Sequence, residues 1–386
     1  MQNLSCEMQM KVYLDNGATT MVDPKVAKAM QPYFTEKYGN ASSLHQKGQE
    51  AKIALEESRK IIAKKLNAHP DEIIFTSGGS ESNNLAIKGI AFFKKTGHII
   101  TTKIEHPSVL NTCKYLEKKG FKITYLNVDK EGFISLEDLE KTITPQTILV
   151  SIIHGNNEIG TIQDINSIGK ICKKHNIPFH IDAVQSFTKV PINIKKDNLT
   201  FVSMSSHKIH GPKGIGALFI KKGTKLEKLV HGGHHEFDLR SGTENIPGIV
   251  GFATASKIIR KSDIKYMEKL RDILIKEALK ISNTKLNGPK ENRLCNNINL
   301  SFKYIEGEAL GAYLDTKGIC TSTGSACTSQ SLEPSHVLTA IGLPPELSHG
   351  SLRLTLSKFT TKEEIYYTIN MLYKFVKKLR KISPFK

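Results

Sequence analysis

A lysine that follows a buried strand is the residue in this sequence best suited to covalent chemistry. Lys208 comes shortly after the predicted strand Phe201–Ser205 and directly after His207. The amine of such a lysine can form a Schiff base with a carbonyl compound. Asp182, at the end of another predicted strand, could keep a pyridinium nitrogen protonated, as pyridoxal 5′-phosphate (PLP) requires in order to store electrons. The spacing alone leaves open that Lys208 is an ordinary surface lysine.

A glycine-rich turn offers the donors that a phosphate group would need. Residues 77–80 follow the predicted strand Ile73–Thr76 and open a helical stretch. Backbone N–H groups at such a helix start bind phosphate, and the hydroxyl of Ser205 would add a further donor. Residues 211–216 are also rich in glycine, but their order does not fit a dinucleotide-binding loop. We interpret that second run as a tight turn.

Two histidine groups and six cysteines raise the question of a metal site. His207 and His210 form one histidine group, and residues 231–235 contain the other. Neither has the spacing of a metal-binding motif, so we expect these histidines to bind anions or to pack. No two cysteines form a C-x-x-C pair, so we expect reduced and mostly buried thiols.

Short apolar runs alternate with amphipathic stretches over the first two thirds of the chain. This alternation predicts an α/β domain with a mostly parallel sheet and helices on both faces. Parallel strands place ligand-binding residues at their carboxyl ends, so the residues after each strand are the candidates for a site. The predicted strands are Ile73–Thr76, His98–Thr102, Lys122–Leu126, Thr147–Ile153, residues 178–182, Phe201–Ser205 and residues 217–220.

The last third of the chain predicts a smaller α+β domain. It contains a strand candidate at residues 296–302, a helix candidate at residues 306–317 and a final helix marked by apolar residues between Ile365 and Leu379. We expect a large domain over residues 11–258. The small domain would comprise residues 1–10 and 259–386 and would carry a polar loop at residues 321–331.

Composition excludes several classes of protein. The chain has 386 residues, of which 39% are apolar, and this is a globular rather than a disordered or fibrous composition. No apolar run reaches the length of a membrane span, and the first residues do not resemble a secretory signal, so we expect a cytoplasmic protein. The net charge of +18 raises the possibility of a nucleic-acid partner. Without a recognisable nucleic-acid motif, we favour a lysine-rich solvated surface.

A series of short motifs occurs at residues 15–20, 39–45, 75–81, 105–106, 156–160, 180–185, 207–214, 240–243 and 324–327. Taken together, these motifs resemble the NifS/IscS family of cysteine desulfurases. The resemblance covers nearly the whole chain and implies a PLP-dependent enzyme of the aminotransferase fold (fold type I), with a large α/β domain and a smaller α+β domain. The motifs occur in the same order as in that family.

The resemblance assigns a role to each matching residue. Lys208 would hold PLP covalently, and His106 would stack on its ring and move protons. Asp182 would pair with the ring nitrogen, and Gln185 would hydrogen-bond the ring hydroxyl. Asn157 and Arg353 would bind the substrate, with Asn157 also contacting the cofactor. The phosphate would be held by Gly79, Ser80, Ser205, His207 and Thr243.

Cys327 would be the nucleophile that takes sulfur from L-cysteine and becomes a persulfide, leaving alanine. It lies in a small, polar stretch, as a loop that carries sulfur to a partner should. The resemblance implies sulfur delivery to an Fe–S scaffold protein or to tRNA thiolation, and it makes Cys327 a candidate Fe–S ligand. It also implies a homodimer, because Thr243 would serve the neighbouring subunit's cofactor.

Two other functions stay in view. A different PLP enzyme, such as an aminotransferase or a selenocysteine lyase, could use the same fold, but an aminotransferase has no use for Cys327. A non-catalytic scaffold or RNA-binding protein would be expected to have lost residues such as Lys208 or Asp182, and neither is lost. Ser206 and Val184 depart from the family's frequent Gly and Thr. We expect the extra bulk of Ser206 to shift the phosphate loop slightly.

Overall fold

The computed structural model describes residues 10–324 and 334–384. The strands are β1 Val12–Tyr13, β2 Ile73–Thr76, β3 His98–Thr102, β4 Lys122–Leu126, β5 Thr147–Ile153, β6 Phe179–Asp182, β7 Phe201–Ser205, β8 Gly216–Ile220, β9 Thr284–Leu286, β10 Asn297–Phe302, β11 Ile319–Cys320 and β12 Ser351–Thr355. The α-helices are α1 Pro24–Met30, α2 Pro32–Thr35, α3 Gln46–Leu66, α4 Gly79–Lys94, α5 Pro107–Glu117, α6 Leu136–Thr142, α7 Ile165–Lys174, α8 Ile246–Ile258, α9 Lys261–Ala278, α10 Gly307–Asp315, α11 His336–Ala340, α12 Pro345–His349 and α13 Lys362–Ile382. Short 3-10 helices occur at Pro70–Glu72, Ser206–Lys208 and Glu236–Asp238.

The chain divides into two compact units. Among the described residues, unit 1 comprises 10–18, 157–160, 261–324 and 334–384, and unit 2 comprises 19–156 and 161–260. The domain boundaries expected from the sequence, 11–258 for the large domain and 259–386 with 1–10 for the small one, stay a prediction.

Unit 2 is built around a seven-stranded sheet with the order β2-β8-β7-β6-β5-β3-β4. The strands β4, β3, β5, β6 and β7 pair in parallel, whereas β8 is antiparallel to both of its neighbours. The prediction of an α/β fold with a mostly parallel sheet is therefore confirmed.

Successive side chains of the same strand pack in different apolar clusters of unit 2. Ile73 and Phe75 pack in one apolar cluster, whereas Ile74 packs in another. Phe219 and Leu218 divide in the same way. Because side chains alternate across a strand, the sheet is buried on both faces, and its strands are apolar runs rather than alternating patterns.

Local sequence signals define the long helix α3. Its apolar face is buried at Ala51, Leu55 and Ile62. The helix begins after His45, whose side chain accepts a hydrogen bond from the backbone N–H of Gly48. It ends at Asn67, which adopts the left-handed conformation (φ 59°) that commonly stops a helix.

Unit 1 contains a three-stranded antiparallel sheet, β12-β10-β9, and a parallel pair of short strands, β1 and β11. Its core includes Leu300, Leu354 and Leu372, all fully buried. Helix α13 starts with a capping box, in which Thr361 and Glu364 each satisfy a backbone N–H of the other. The sequence predicted β10, α10 and α13 but not β12, which carries Arg353.

None of the helices in the described part of the chain has the length and apolarity needed to cross a membrane.

Candidate active site

Neighbouring parallel strands of unit 2 end at one edge of the sheet, and most of the predicted catalytic side chains follow them. His106 comes after β3, Asp182 ends β6, Ser205 ends β7 and Lys208 closes the 3-10 helix that follows β7. Because β3, β5, β6 and β7 are adjacent and parallel, their carboxyl ends share an edge. The structure thus brings these predicted residues to the same edge.

The carboxylate of Asp182 is buried, with 3% of the residue exposed, and it is held from two sides. Oδ1 accepts a hydrogen bond from the backbone N–H of Val184 at 2.9 Å. Oδ2 accepts one from the side-chain amide of Asn83 in α4 at 2.8 Å. Each carboxylate oxygen can accept more than one hydrogen bond, so the fixed group can still receive a charged N–H donor.

His106 is the N-cap of α5. Its Nδ1 accepts a hydrogen bond from the backbone N–H of Ser108 at 3.1 Å and lies 2.8 Å from the Ser108 hydroxyl oxygen. The capping contact fixes the position of the imidazole relative to the end of β3.

Helix α4 starts without a side-chain cap, because its N-cap is Gly78. A Cβ atom on Gly79 would lie 2.5 Å from Cγ2 of Val184 and 3.7 Å from Cβ of Ser205, so only glycine lets these segments approach so closely. Ser205 is buried, and Ser80 is exposed in the first turn of α4. The first amides of an α-helix have no partner within the helix, so a helix start without a side-chain cap, beside a serine, can hold a phosphate group.

Lys208 and His207 are half-buried residues of the 3-10 helix after β7. Burial and the positive charges of Lys208, Lys213 and Lys189 lower the pKa of His207 to about 4. Its imidazole is therefore neutral at physiological pH, and its Nδ1 lies 3.2 Å from the hydroxyl oxygen of Thr19.

Ser206, where the family often has glycine, is fully buried. A Cβ atom on Gly211 would lie 1.9 Å from its hydroxyl oxygen, so the absence of a side chain at Gly211 makes room for the serine. Residues 211–216, predicted as a tight turn, bend at 213–214 and lead into β8.

Three buried titratable groups near the same strands were given no role in the sequence analysis. Burial raises the pKa of Glu105 to about 8, although its Oε1 accepts hydrogen bonds from the Thr102 hydroxyl (2.6 Å) and from the backbone N–H of Ile153 (2.9 Å). Burial lowers the pKa of His154 to about 4 and that of His180 to about 3. All three side chains are thus predominantly neutral at neutral pH.

In unit 1, strand β12 carries Arg353, whose side chain is 2% exposed. Nη1 donates a hydrogen bond to the backbone carbonyl of Asn157 at 3.1 Å, and Nη2 donates one to Oδ1 of Asp15 at 3.0 Å. The buried Nε–H has no hydrogen-bond partner among residues 10–324 and 334–384. A buried guanidinium with an unused N–H is suited to bind a carboxylate.

Thr243 is exposed. It follows residues 236–240, which are held to the rest of unit 2 by side-chain contacts. Glu236, in that segment, accepts two hydrogen bonds from the guanidinium of Arg59 and one from the backbone N–H of Phe75. Arg240 pairs with Glu81 of α4 at 2.9 Å.

Cys327 lies outside the described residues, so its predicted roles as nucleophile and Fe–S ligand stay predictions. Within the described ranges, His, Cys, Asp and Glu side chains form no group of three or more that could hold a metal ion. The cysteines Cys113, Cys172 and Cys295 are buried, and Cys320 is exposed.

Residues that contact the predicted site residues within each unit were not predicted from the sequence. Asn83, Ser108 and Asp15 contact predicted site residues, but they are distant from those residues in sequence or carry no motif of their own. The only available signal was that Asn83 and Asp15 lie within or next to the quoted motifs.

Comparison with known proteins supplies the family. The model of the aminotransferase class-V family matches residues 12–367. A cysteine desulfurase IscS from Dictyoglomus turgidum is 52% identical over 385 residues, which cover 98% of both chains. A cysteine desulfurase IscS from Methanosarcina thermophila is 51% identical, over 99% of this chain and 96% of the relative.

Solved structures agree with the sequence relatives. A NifS-like protein superposes with a TM-score of 0.90 at 42% identity, covering 95% of this chain and 100% of that one. The structure of SspA in complex with cysteine has a TM-score of 0.83 at 39% identity, covering 91% of this chain and 100% of the other.

Proposed function

We propose that this chain, which belongs to the aminotransferase class-V family and is a PLP-dependent cysteine desulfurase, carries the sulfur of L-cysteine on its own Cys327. The single observation that best supports the assignment of the site is the edge of the sheet in unit 2. There the uncapped start of α4, the fixed carboxylate of Asp182 and the amine of Lys208 follow strands that end together.

The donors and acceptors at this edge fit PLP. The first amides of α4 at Gly79 and Ser80, together with Ser205 and the neutral His207, would bind the phosphate. Lys208 would hold the cofactor covalently. When bound, PLP supplies an electron sink that makes the Cα proton of the substrate acidic and the Cβ–S bond breakable.

Side chains around the ring would set its electronic state. Asp182 would accept the hydrogen of the ring N–H, and its position is fixed by Val184 and Asn83. Gln185, which is 6% exposed, would donate to the ring hydroxyl. His106 would lie against the ring face, held in place by its capping contact with Ser108.

Arg353 and Asn157 would bind the substrate. The unused Nε–H of Arg353 would donate to the carboxylate of L-cysteine, with Nη2 beside it on the same edge of the planar guanidinium. The contacts with Asp15 and with the carbonyl of Asn157 keep that edge in one orientation. These contacts reduce the side-chain entropy that binding would otherwise cost.

Sulfur transfer then proceeds by attack of the Cys327 thiolate on the sulfur of the substrate. A bond between the two sulfur atoms forms, the Cβ–S bond breaks and its electron pair stays with the carbon fragment. Protonation of that fragment gives alanine. The net change converts L-cysteine and the Cys327 thiol into L-alanine and a Cys327 persulfide, with atoms and electrons balanced.

The persulfide would be delivered to a scaffold protein for Fe–S clusters or to a tRNA-thiolation enzyme, in the cytoplasm. The enzyme would be a homodimer in which Thr243 reaches the phosphate site of the partner subunit. The exposure of Thr243 and the buried Arg59–Glu236 pair that anchors its segment support this part of the proposal. Sedimentation equilibrium of the purified protein tests the dimer, and a monomer at micromolar concentration would contradict it.

The decisive experiment measures alanine and sulfide formed from L-cysteine in the presence of a reducing thiol. It compares the wild type with Cys327→Ala and with Cys320→Ala, which removes an exposed cysteine of unit 1 as a matched control. We expect both products from the wild type and from Cys320→Ala, and at least about a 100-fold loss in Cys327→Ala. An inactive wild type with bound PLP would contradict the function. Full activity in Cys327→Ala would contradict the role of that cysteine.

A further inference from the structure

We propose that Asn83 and Ser108 are positioning residues that hold the His106 imidazole as the neutral form with hydrogen on Nε2 and link it to the carboxylate of Asp182. The relay runs from Asp182 through the Asn83 amide and the Ser108 hydroxyl to Nδ1 of His106. The inference rests on the proposed function only in assigning His106 and Asp182 to the cofactor.

Nδ1 of His106 faces the first backbone N–H of helix α5. Helix α5 begins with Pro107, which has no N–H, so Ser108 supplies the first backbone N–H of the helix. That N–H points at Nδ1 over 3.1 Å. A backbone N–H can only donate, so Nδ1 must be the unprotonated nitrogen while this bond lasts, and the ring hydrogen must be on Nε2.

The Ser108 hydroxyl contacts both His106 and Asn83. Its oxygen lies 2.8 Å from Nδ1 of His106 and also 2.8 Å from the side-chain nitrogen of Asn83. The Asn83 amide donates to this oxygen, so the hydroxyl hydrogen is available for the unprotonated Nδ1. Nδ1 therefore accepts from two donors of the same residue.

The side-chain amide of Asn83 is oriented with its nitrogen toward Asp182 and Ser108. Its nitrogen has two hydrogens, and it contacts Oδ2 of Asp182 and the oxygen of Ser108, each at 2.8 Å. A flipped amide would put its oxygen against an ionised carboxylate, which can only accept. Asn83 is 1% exposed, and its own oxygen has no hydrogen-bond partner within the described part of the chain. The site thus uses this amide as a double donor.

The relay has a consequence for the reaction. A neutral imidazole with hydrogen on Nε2 can donate a hydrogen bond or a proton from Nε2. It can take up a proton at Nδ1 only by giving up the bond from the Ser108 N–H. His106 would therefore begin the reaction as a donor through Nε2, and the fixed carboxylate of Asp182 would determine, through Asn83 and Ser108, how firmly that form is held.

The first test is ¹⁵N NMR of the histidine rings in the full-length protein, with and without PLP, at pH 7.5. The His106→Asn spectrum identifies the signals of His106. We expect one protonated and one bare nitrogen, in the pattern of the Nε2–H form. A ring with hydrogen on Nδ1, or a doubly protonated ring, would overturn the proposal.

Substituting the relay should change that spectrum. Asn83→Asp replaces the double donor with an acceptor, which turns the Ser108 hydroxyl away from Nδ1 and should move the signals toward the doubly protonated ring. Ser108→Ala keeps the backbone N–H that donates to Nδ1 but removes the hydroxyl donor, so the ring should stay in the Nε2–H form while its Nδ1 signal shifts with the loss of one hydrogen bond. Unchanged signals in Ser108→Ala would overturn the relay, even if Asn83→Asp does not fold.

Kinetics separate positioning from a purely structural role. We expect Ser108→Ala to lower kcat about tenfold with the KM for L-cysteine unchanged, which corresponds to the loss of one hydrogen bond. Ser108→Thr keeps the hydroxyl and should keep kcat within about threefold of the wild type. Thr112→Val is the matched control, because it removes another hydroxyl of α5, which contacts the Asn84 side chain and the Ser108 carbonyl oxygen but neither His106 nor the Ser108 hydroxyl. An equal loss of kcat in Thr112→Val would contradict the relay.

Failure of this inference can be distinguished from failure of the proposed function. If the wild type converts L-cysteine but the NMR shows hydrogen on Nδ1, the relay alone is wrong. If the wild type is inactive, the function is wrong, and the NMR result still decides the protonation form of His106.

Discussion

Arg59 in unit 2 and Arg353 in unit 1 are both buried, and they differ in how completely they are hydrogen-bonded. Both side chains are 2% exposed, and both pair with a carboxylate. In unit 2, all three guanidinium nitrogens of Arg59 have an acceptor, and the guanidinium lies 5.0 Å from the ring centres of both Phe75 and Phe237. In unit 1, the Nε–H of Arg353 has no partner among the described residues.

This difference separates a structural arginine from one that can bind a ligand. Burial alone would lower the pKa of Arg59, but the hydrogen bonds and charge of Glu236 outweigh it and raise the pKa above its ordinary value. Arg59 therefore has little left to offer a ligand. A buried N–H without an acceptor costs free energy. A substrate carboxylate that accepts a hydrogen bond from the Nε–H of Arg353 would remove this cost.

The largest expected effect is on stability, at Arg59. Arg59→Met leaves the Glu236 carboxylate buried without its counter-ion, which should lower the free energy of unfolding by about 3–5 kcal/mol. Urea denaturation monitored by circular dichroism measures this loss. The KM for L-cysteine of the remaining folded enzyme should not change.

The matched control adds Glu236→Gln to Arg59→Met. The neutral amide can still accept from the backbone N–H of Phe75, and no charge remains unpaired. The double variant should therefore regain part of the stability lost in the single one. If it is less stable than Arg59→Met alone, the unpaired charge is not the cause.

The second expected effect is on substrate binding, at Arg353. Arg353→Lys replaces the planar fork with a point charge and should lower kcat/KM for L-cysteine about 100-fold, mainly through KM. Steady-state kinetics with L-cysteine measure it, and Arg271→Lys, at another mostly buried arginine of unit 1, is the control. An unchanged KM in Arg353→Lys would mean that the unused N–H does not serve the substrate.

The smallest expected effect is at the aromatic ring over Arg59. Phe237→Leu removes one face of the stacking, which should cost about 1 kcal/mol of unfolding free energy and leave kcat and KM unchanged. Thermal denaturation and the same kinetic assay measure both quantities. A change in KM without a change in stability would remove the distinction between the two arginines.

The strands of unit 2 could be predicted because each is a short apolar run that is buried on both faces. The predicted strand Ile73–Thr76 matches β2, and Phe201–Ser205 matches β7. Asp182 and Lys208 could be recognised as candidates for the same reason, since they follow such runs and parallel strands collect their ends at one edge.

The surroundings of the site could not be predicted, because they depend on contacts between distant residues. Glu236 contacts Arg59 from 177 positions away, and Asn83 contacts Asp182 from 99 positions away. Glu236 and the two residues that follow it also adopt positive φ angles. None of the three is glycine or asparagine, the residues from which such a conformation is usually predicted. Arg353 was assigned only by the family resemblance, since its strand gave no separate signal.

Peptide mapping after borohydride reduction of the holoenzyme shows which lysine holds PLP, and we expect that lysine to be Lys208. Reduction makes the bond between cofactor and lysine permanent, and mass spectrometry of the digest identifies the lysine that carries it. A pyridoxyl phosphate group is expected on Lys208 alone. Its presence instead on Lys189 or Lys213, the other lysines whose charges act on His207, would contradict the assignment of Lys208.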